Sequence, residues 1–153
     1  MQNINFLTNY NPKQRGFTLV ELVITIAIIG ILSTIVMFSV VQYVNKSKDA
    51  NIIGNLAILV SSGEVYYNSN QDYDGFCASS VVTNSFAEMP KVGSSTYGCI
   101  EGYDNDSWVA YAQMFSNNDY AYCVDSRGVK RRINWTSVGS INQNSSECPA
   151  VAS

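Results

Sequence analysis

Residues 16–41 read GFTLVELVITIAIIGILSTIVMFSVV, and this stretch determines how the rest of the chain is organised. Between Phe17 and Val41 the only charged residue is Glu21. At about 1.5 Å of rise per residue, a helix of this length is roughly 37 Å long, which is enough to cross a hydrocarbon core of about 30 Å with some tilt. The stretch therefore predicts a membrane-spanning helix over residues 17–41.

Glu21 needs an explanation, because placing a carboxylate at membrane depth costs about 2.5–3.5 kcal/mol. No basic residue lies within the run to act as its partner. Cleavage between Gly16 and Phe17 would create an α-ammonium group about one helical turn before Glu21, able to pair with Glu21 of the same chain or of a neighbouring subunit. The alternative is that Glu21 only favours the positive end of the helix dipole.

The sequence around Gly16 resembles that of a known family. Residues 13–22, KQRGFTLVEL, are similar to the class III signal peptide and N-terminal methylation motif of type IV pilins and of the pseudopilins of type II secretion systems. The resemblance implies cleavage between Gly16 and Phe17 by a prepilin peptidase, methylation of the new N-terminus at Phe17, and a role for Glu21 in filament assembly. It covers about residues 13–45, and Phe38 stands where many family members have a helix-breaking proline.

Residues 1–16 are predicted to be a leader peptide. They contain Lys13 and Arg15 but no apolar region of their own, whereas an ordinary secretory signal has an apolar region of about 7–15 residues before its cleavage site. Because basic residues favour the cytoplasmic side, we expect a single-pass precursor in the inner (cytoplasmic) membrane with its C-terminus outside. After assembly, the chain is expected in an extracellular filament.

Loss of the leader makes the chain more acidic. It removes two of the nine basic residues and none of the twelve acidic ones, so the formal net charge falls from −3 to −5. Nucleic-acid binding is driven largely by basic side chains that neutralise phosphates. The mature chain is therefore not expected to bind nucleic acid generally.

Residues 42–67 continue the same helix with a different pattern. Apolar, small or aromatic residues recur at intervals of three, four or eight, namely at Val44, Ile52, Leu56, Leu59, Gly63 and Tyr66. Charged residues fall mostly at other positions, which is typical of an amphipathic helix with one buried stripe. We therefore predict one helix from about residue 17 to about residue 67, ending where residues 68–70, NSN, favour a turn.

The remainder of the chain predicts an α+β fold, with a long N-terminal helix packed on a small antiparallel sheet. Residues 68–107 are expected to form a connecting loop region with a short helix near residues 85–89. Residues 108–153 are expected to hold about three strands, at residues 108–115, 120–125 and 129–135, followed by a C-terminal tail. Val129, Ile133 and Trp135 share one face of the third strand, and we expect that face to pack against the helix.

Four cysteines, Cys77, Cys99, Cys123 and Cys148, follow the membrane run. An even number in an exported domain predicts disulfides, with three possible pairings. The chain has no His and no CxxC pair, which disfavours the alternative of a four-cysteine zinc site. Pairing neighbours, Cys77 with Cys99 and Cys123 with Cys148, makes the smallest topological demand, whereas a bond from Cys77 to Cys123 requires the connection to fold across the sheet.

A basic cluster at Lys130, Arg131 and Arg132 raises the alternative of a nucleic-acid contact. Side chains alternate between the two faces of a strand, so Arg131 is expected on the face opposite the other two. The three residues then do not form one patch. A solvated edge with one internal ion pair of Arg131 is the favoured interpretation.

An acidic cluster at Glu101, Asp104, Asn105 and Asp106 offers oxygen ligands of the kind that Ca²⁺ prefers. Pseudopilins that resemble this layout bind Ca²⁺ in a comparable loop. The spacing does not match that of an EF-hand, and a plain acidic turn is the favoured interpretation.

The chain is predicted to be a structural protein and not an enzyme, with no catalytic residue, metal site or cofactor, since it has no His and no phosphate-binding glycine loop. The predicted function is that of a subunit of a type IV pilus-like filament. The expected partners are the prepilin peptidase and methyltransferase, the pilus assembly platform, further copies of the chain in a helical filament, and the membrane before assembly. The alternatives are a pseudopilin of a type II secretion or DNA-uptake system, and a single-pass anchored domain that does not assemble.

Overall fold

The computed structural model describes residues 16–91 and 97–150, so Lys13 and Arg15 of the predicted leader lie outside the described residues. The chain divides into two compact units, Met1–Ser39, here called the N-terminal unit, and Val40–Ser153, the globular unit. The elements follow in the order α1 (Leu19–Asn70), α2 (Ser80–Glu88), β1 (Tyr97–Glu101), β2 (Trp108–Gln113), β3 (Tyr120–Asp125), β4 (Lys130–Asn134) and the 3₁₀ helix η1 (Trp135–Ser140).

Helix α1 confirms the prediction of one long helix, and it contributes to both units. Its part in the globular unit buries a stripe made of Asp49, Ile52, Leu56, Leu59 and Gly63. These residues are three or four positions apart, the spacing that places side chains on one face of a helix. The predicted stripe is thus buried at Ile52, Leu56, Leu59 and Gly63, whereas Val44 is exposed and Tyr66 is half-buried.

The sheet has four antiparallel strands in the order β1-β2-β3-β4, one more than the predicted three. The additional strand, β1, lies in the region predicted to be a loop, and its residues Tyr97 to Glu101 pair with Ala112 to Trp108 of β2. The five residues of β1, which include Gly98 and Cys99, show no alternation between buried and exposed positions. This strand forms because β2 offers it a hydrogen-bonding edge, which is a tertiary effect that local propensity does not contain.

The helix-facing side of the sheet packs on α1 and α2. The cluster there, called the helix-side cluster, includes Ile52, Leu56 and Leu59 of α1, Val82 and Phe86 of α2, and Trp108, Ala110, Ala112 and Val124 of the sheet. Its centre is Trp108, which is fully buried. Trp108 lies so close to α1 that a Cβ atom on Gly63 would be 2.7 Å from its indole nitrogen. Only glycine fits this contact without a shift of the ring.

The opposite side of the sheet carries a second core, the tail-side cluster, made of Val109, Ala121, Cys123, Ile133, Ile141 and Cys148. Val129 and Trp135 pack against it, so the expectation that the face of Val129, Ile133 and Trp135 meets the helix is wrong. The alternation of the strand was interpreted correctly, but α1 covers residues of β1, β2 and β3, and the C-terminal tail covers the other face. Alternation fixes which residues share a face and does not fix what covers it.

Candidate functional site

The apolar run of α1 is the first candidate site, and it has no core of its own in this chain. Every residue from Gly16 to Val44 is exposed, including Phe17 at 75%, Leu19 at 81% and Phe38 at 72%. Among the described residues, α1 is the one helix long and apolar enough to cross a membrane, with a mean hydropathy of 2.6 in its most apolar window. A surface of this kind is stable only when lipid or another protein replaces water.

The hydroxyl side chains inside the run are already hydrogen-bonded to the helix itself. The hydroxyls of Thr25, Ser33, Thr34 and Ser39 each donate to a carbonyl oxygen of the preceding turn, over distances of 2.7–3.2 Å. In hydrocarbon a polar group without a partner costs several kcal/mol. Because these groups are satisfied locally, the run presents an apolar surface in spite of these four hydroxyls.

Glu21 lies in the first turn of α1 and forms a reciprocal cap with Thr18. The Glu21 carboxylate accepts hydrogen bonds from the Thr18 backbone N–H at 2.9 Å and from the Thr18 hydroxyl at 2.7 Å. The Glu21 backbone N–H in turn donates to the Thr18 hydroxyl oxygen at 3.3 Å. This is a capping box, which satisfies two donors that the start of a helix otherwise leaves free. In the single chain, therefore, Glu21 stabilises the helix start.

The predicted processing residues Gly16 and Phe17 lie just before this cap, outside the helix. Gly16 is exposed, and no heavy atom outside its immediate neighbours lies within 4 Å of the position that a Cβ atom would take. Within the chain, steric crowding thus does not require glycine at this position. A requirement for glycine there has to come from another molecule.

The four cysteines form two disulfides in the pairing that the sequence favoured. Cys77 bonds to Cys99, with 5.6 Å between their Cα atoms, and this bond ties the loop after α1 to β1. Cys123 bonds to Cys148, with 5.8 Å between the Cα atoms, and this bond ties the tail to β3. No cysteine among the described residues is free. Both bonds lie within ordinary Cα separations and leave no thiolate to bind zinc.

One member of the acidic cluster near β1, Glu101, has a structural role. The Glu101 carboxylate accepts hydrogen bonds from the backbone N–H groups of Cys77, at 2.5 Å, and Gly75, at 3.3 Å, so it fixes the loop beside the first disulfide. In the part of the chain that the structure describes, no three acidic, His or Cys side chains are grouped closely enough to hold a metal ion.

The basic cluster on β4 follows the expected alternation. Lys130 and Arg132 are exposed and Arg131 is half-buried. The guanidinium of Arg132 stacks on the ring of Tyr120, 4.4 Å from its centroid. The expected ion pair of Arg131 is not found among the described residues, whose two salt bridges both involve Arg127.

Two buried acids were missed by the sequence reasoning. Asp49, 5% exposed, accepts hydrogen bonds from the backbone N–H groups of Phe115 and Ser116 and so joins α1 to the β2–β3 turn. Asp125, fully buried, accepts from Arg127 and from the backbone N–H of Cys148, and its side-chain hydrogen bond raises the pKa of Arg127. No sequence pattern marks Asp49, because its partners are distant backbone groups. Asp125 bonds to Arg127 and Val129 in the turn that follows it as well as to the distant Cys148.

The capping role of Thr18 was also missed, although a pattern existed for it. Thr18 followed by Glu21 three positions later, just before an apolar run, is the sequence signature of a capping box. The pair, and not the single acid, defines the start of the helix.

The N-terminal segment matches known proteins. The family described as "Prokaryotic N-terminal methylation motif" matches residues 11–37. The chain is 34% identical over 70 residues to the Type IV major pilin protein PilA of Myxococcus xanthus, an alignment that covers 46% of this chain and 32% of that protein. It is 50% identical over 44 residues to Fimbrial protein Q of Moraxella bovis, covering 29% of this chain and 28% of that protein.

A third relative, the Type IV major alpha-pilin of Moraxella bovis, is also 50% identical over 44 residues. These alignments span about a third or less of the length of the curated relatives. No significant match to a solved structure is found. The family match, at residues 11–37, covers the processing motif and the first part of α1 and includes no residue of the sheet.

Proposed function

We propose that this chain is a member of the type IV pilin family and a structural subunit of a type IV pilus-like filament. Its methylation motif and its similarity to pilins support the proposal. The family is one of structural subunits, not of enzymes. The observation that carries the proposal is the combination of a methylation motif with a fully exposed apolar helix start whose one charge is Glu21. An apolar surface of that length needs a partner along its whole extent, and further copies of the same helix provide one.

In this proposal the chain has five segments with different roles. Residues 1–16 are the leader that a prepilin peptidase removes, and residues 17–41 are the part that lies in the membrane before assembly and in the filament core afterwards. Residues 42–67 form the amphipathic part of the same helix, residues 68–107 the connection, and residues 108–153 the main part of the sheet and the disulfide-tied tail. The precursor has its C-terminus outside the cytoplasmic membrane, and the assembled filament is extracellular.

Glu21 changes partner during assembly. In the single chain its carboxylate is held by Thr18. Cleavage frees the α-ammonium of Phe17, and in the filament the Glu21 carboxylate pairs with that ammonium on the preceding subunit. The pair neutralises two charges that would otherwise be costly in an apolar core, and it selects one axial register between neighbouring helices.

The pilus assembly platform and the prepilin peptidase are the remaining partners of this proposal. The three relatives are two major pilins and a fimbrial protein, which favours a pilus subunit over a pseudopilin. A pseudopilin would support short assemblies inside a secretion machine and would leave no long surface filament.

The test is to shear the surface fraction from cells that express the chain, to image it by electron microscopy and to determine the N-terminus of the subunit by mass spectrometry. We expect filaments whose subunit begins at Phe17 and carries one added methyl group. A Gly16→Ser variant should keep its leader, because a bulkier residue blocks the approach of the peptidase to the backbone. Its subunit should then be absent from the sheared fraction. A subunit that begins at Met1 or after Val41, or an absence of filaments, would contradict the proposal.

A further inference from the structure

The strands of the globular unit define two ends. One end is here called the entry end, because α1 enters the unit there. Strands β1 and β3 begin at this end, and β2 and β4 end at it. Asp49 of α1 accepts a hydrogen bond there from the turn after β2. At the other end, called the far end, Trp108 at the start of β2 lies against Gly63, further along α1. Five paired residues at about 3.3 Å each separate the two ends.

The entry end carries cations that are held on aromatic rings. All three cation–π pairs of the described residues lie there: Lys48 at 4.5 Å from the Phe115 ring centroid, Lys91 at 5.7 Å from that of Tyr97, and Arg132 at 4.4 Å from that of Tyr120. Tyr97 is the first residue of β1 and Tyr120 the first of β3, while Phe115 is the second residue after the end of β2. Stacking on a ring fixes the position of a charge that would otherwise move freely.

Together with the exposed Lys46, the cations Lys48, Lys91 and Arg132 form a set that we call the cationic rim. Two exposed acids, Glu88 and Asp119, lie at the same end, and the third acid there, Asp49, is buried and bonded to backbone N–H groups. Within residues 16–91 and 97–150, none of the four rim cations forms a salt bridge. Their charges are therefore available to another molecule.

The far end carries four acidic residues close together. Two cations lie at the same end, Arg127, which is paired with Asp125 and Glu147, and Lys130 at the start of β4. Asp72 and Asp74 flank Tyr73, and Asp104 and Asp106 flank Asn105; the Tyr73 backbone N–H donates to the Asn105 carbonyl at 2.7 Å, which brings both acidic pairs together. These four residues are called the acidic end, and they too form no salt bridge with the described residues. Burial and the nearby Glu64 raise the pKa of Tyr73, so the tyrosine remains neutral among these acids.

We propose that the cationic rim of one subunit binds the acidic end of a second copy of this chain, so that the globular units contact each other head to tail along the filament. The proposal rests on the proposed function, and it adds a second contact to that of the apolar helices. One chain supplies both complementary surfaces, at opposite ends, and a contact between unlike surfaces of identical subunits propagates without closing. Charges of this kind set orientation and register more than affinity.

An anionic membrane surface is the other partner that a cationic rim fits. It would use the rim alone and would leave the four carboxylates of the acidic end without a partner. The complementarity within one chain therefore favours a second copy, and the membrane becomes an outcome of the test.

The first measurement uses the unaltered protein. Purified filaments are treated with a zero-length carbodiimide, which joins a lysine amine to a carboxylate only when they are in contact, and crosslinked peptides are identified by mass spectrometry. Lys91 and Asp104 lie at opposite ends of one unit, so a crosslink between them joins two copies. We expect crosslinks from Lys46, Lys48 or Lys91 to the acidic end. If these lysines are crosslinked only to Glu88 and Asp119 of their own end, the proposal is overturned.

The second measurement is a charge exchange in the full chain. The rim variant Lys91→Glu with Arg132→Glu and the acidic-end variant Asp104→Lys with Asp106→Lys should each lower the yield of sheared filament about five-fold, the order expected of one or two exposed ion pairs. Combining all four substitutions should restore most of the yield. Lys130→Glu, a charge change of the same sign at the start of β4, lies outside the cationic rim and is the control; it should not lower the yield.

The outcomes separate this inference from the proposed function. Normal filaments from both reversed variants would overturn the contact and leave the proposed function intact. A third outcome would identify the membrane, and not a second copy, as the partner of the cationic rim. In that case only the rim variant loses yield, and the four combined substitutions do not restore it. The full-length rim variant would also bind less tightly to vesicles that contain anionic phospholipid. An absence of filaments from the unsubstituted chain would overturn both proposals. Equal amounts of disulfide-bonded subunit in the membrane fraction show that the variants fold.

Discussion

Two parts of one helix differ in where their partners are found. In the N-terminal unit, α1 exposes every described residue up to Ser39, whereas in the globular unit it buries Ile52, Leu56 and Leu59 completely or nearly so. Both parts are continuous α-helix in the same element. Helix formation therefore does not distinguish them, and what distinguishes them is whether the chain supplies its own apolar partner.

The difference follows from how much apolar surface each part has to cover. The second part has one stripe, which a sheet of four strands and the short helix α2 can bury. The first part is apolar on all sides, so no single sheet on one side of it could remove its surface from water. Each exposed large side chain left in water forgoes about 1.5–3 kcal/mol of burial free energy. The first part accordingly needs lipid or another protein as its apolar partner, whereas the second has its partner within its own chain.

The largest expected effect concerns the part of α1 in the N-terminal unit. Replacing Glu21 by Ala should leave the precursor processed and inserted but should reduce assembly strongly, because one charge of a pair in an apolar core is left without its partner, at a cost of about 3–5 kcal/mol per subunit. The measurement is the amount of sheared filament relative to the subunit in the membrane fraction.

A matched variant separates charge from capping. Glutamine serves in a capping box as glutamate does, so Glu21→Gln keeps an acceptor for the Thr18 N–H but removes the charge. We expect Glu21→Gln to assemble as poorly as Glu21→Ala. Recovery of normal yield with glutamine would mean that Glu21 acts through the helix start and not through an intermolecular ion pair.

A smaller effect is expected from the hydrogen bonds that attach the second part to the sheet. Asp49→Ala leaves the backbone N–H groups of Phe115 and Ser116 without their acceptor, which should lower the free energy of unfolding by about 1.5–3 kcal/mol. Urea unfolding of the full chain in detergent, followed by tryptophan fluorescence, measures this change. Asp119→Ala, an exposed acid near the same turn, is the control, and an equal loss there would contradict the role assigned to Asp49.

The smallest of the three effects compares two glycines of α1. A Cβ atom at Gly63 would meet the Trp108 ring at 2.7 Å, whereas one at Gly54 would meet nothing within 4 Å. Gly63→Ala should therefore destabilise the globular unit by about 1–3 kcal/mol through overpacking. Gly54→Ala should stabilise it by about 0.5–1 kcal/mol, because alanine loses less backbone entropy in a helix. Thermal unfolding of the two variants measures the difference, and equal shifts would mean that Gly63 tolerates a side chain.

The sequence predicted more of the helix than of the sheet. The stripe of Ile52, Leu56, Leu59 and Gly63 repeats at the helical period, so a local pattern was sufficient to find it. Strand β1 has five residues without clear alternation, and it was assigned to a loop because its pairing with β2 is a contact between segments that propensity does not describe. The same limit applies to Val129, Ile133 and Trp135, whose shared face was recognised but whose covering element was not.

The sequence alone determined the features that depend on spacing within a few turns of chain: the apolar run, its single acid Glu21, the amphipathic stripe that follows, and the even set of cysteines. Only the tertiary structure decided which face of the sheet meets α1, which backbone groups Asp49 and Asp125 bind, and that Lys91 and Arg132 lie at one end of the globular unit while Asp74 and Asp104 lie at the other. The physical reason is that helical period and residue type act between near neighbours, whereas the placement of charges on a surface depends on strand register and on chain reversals.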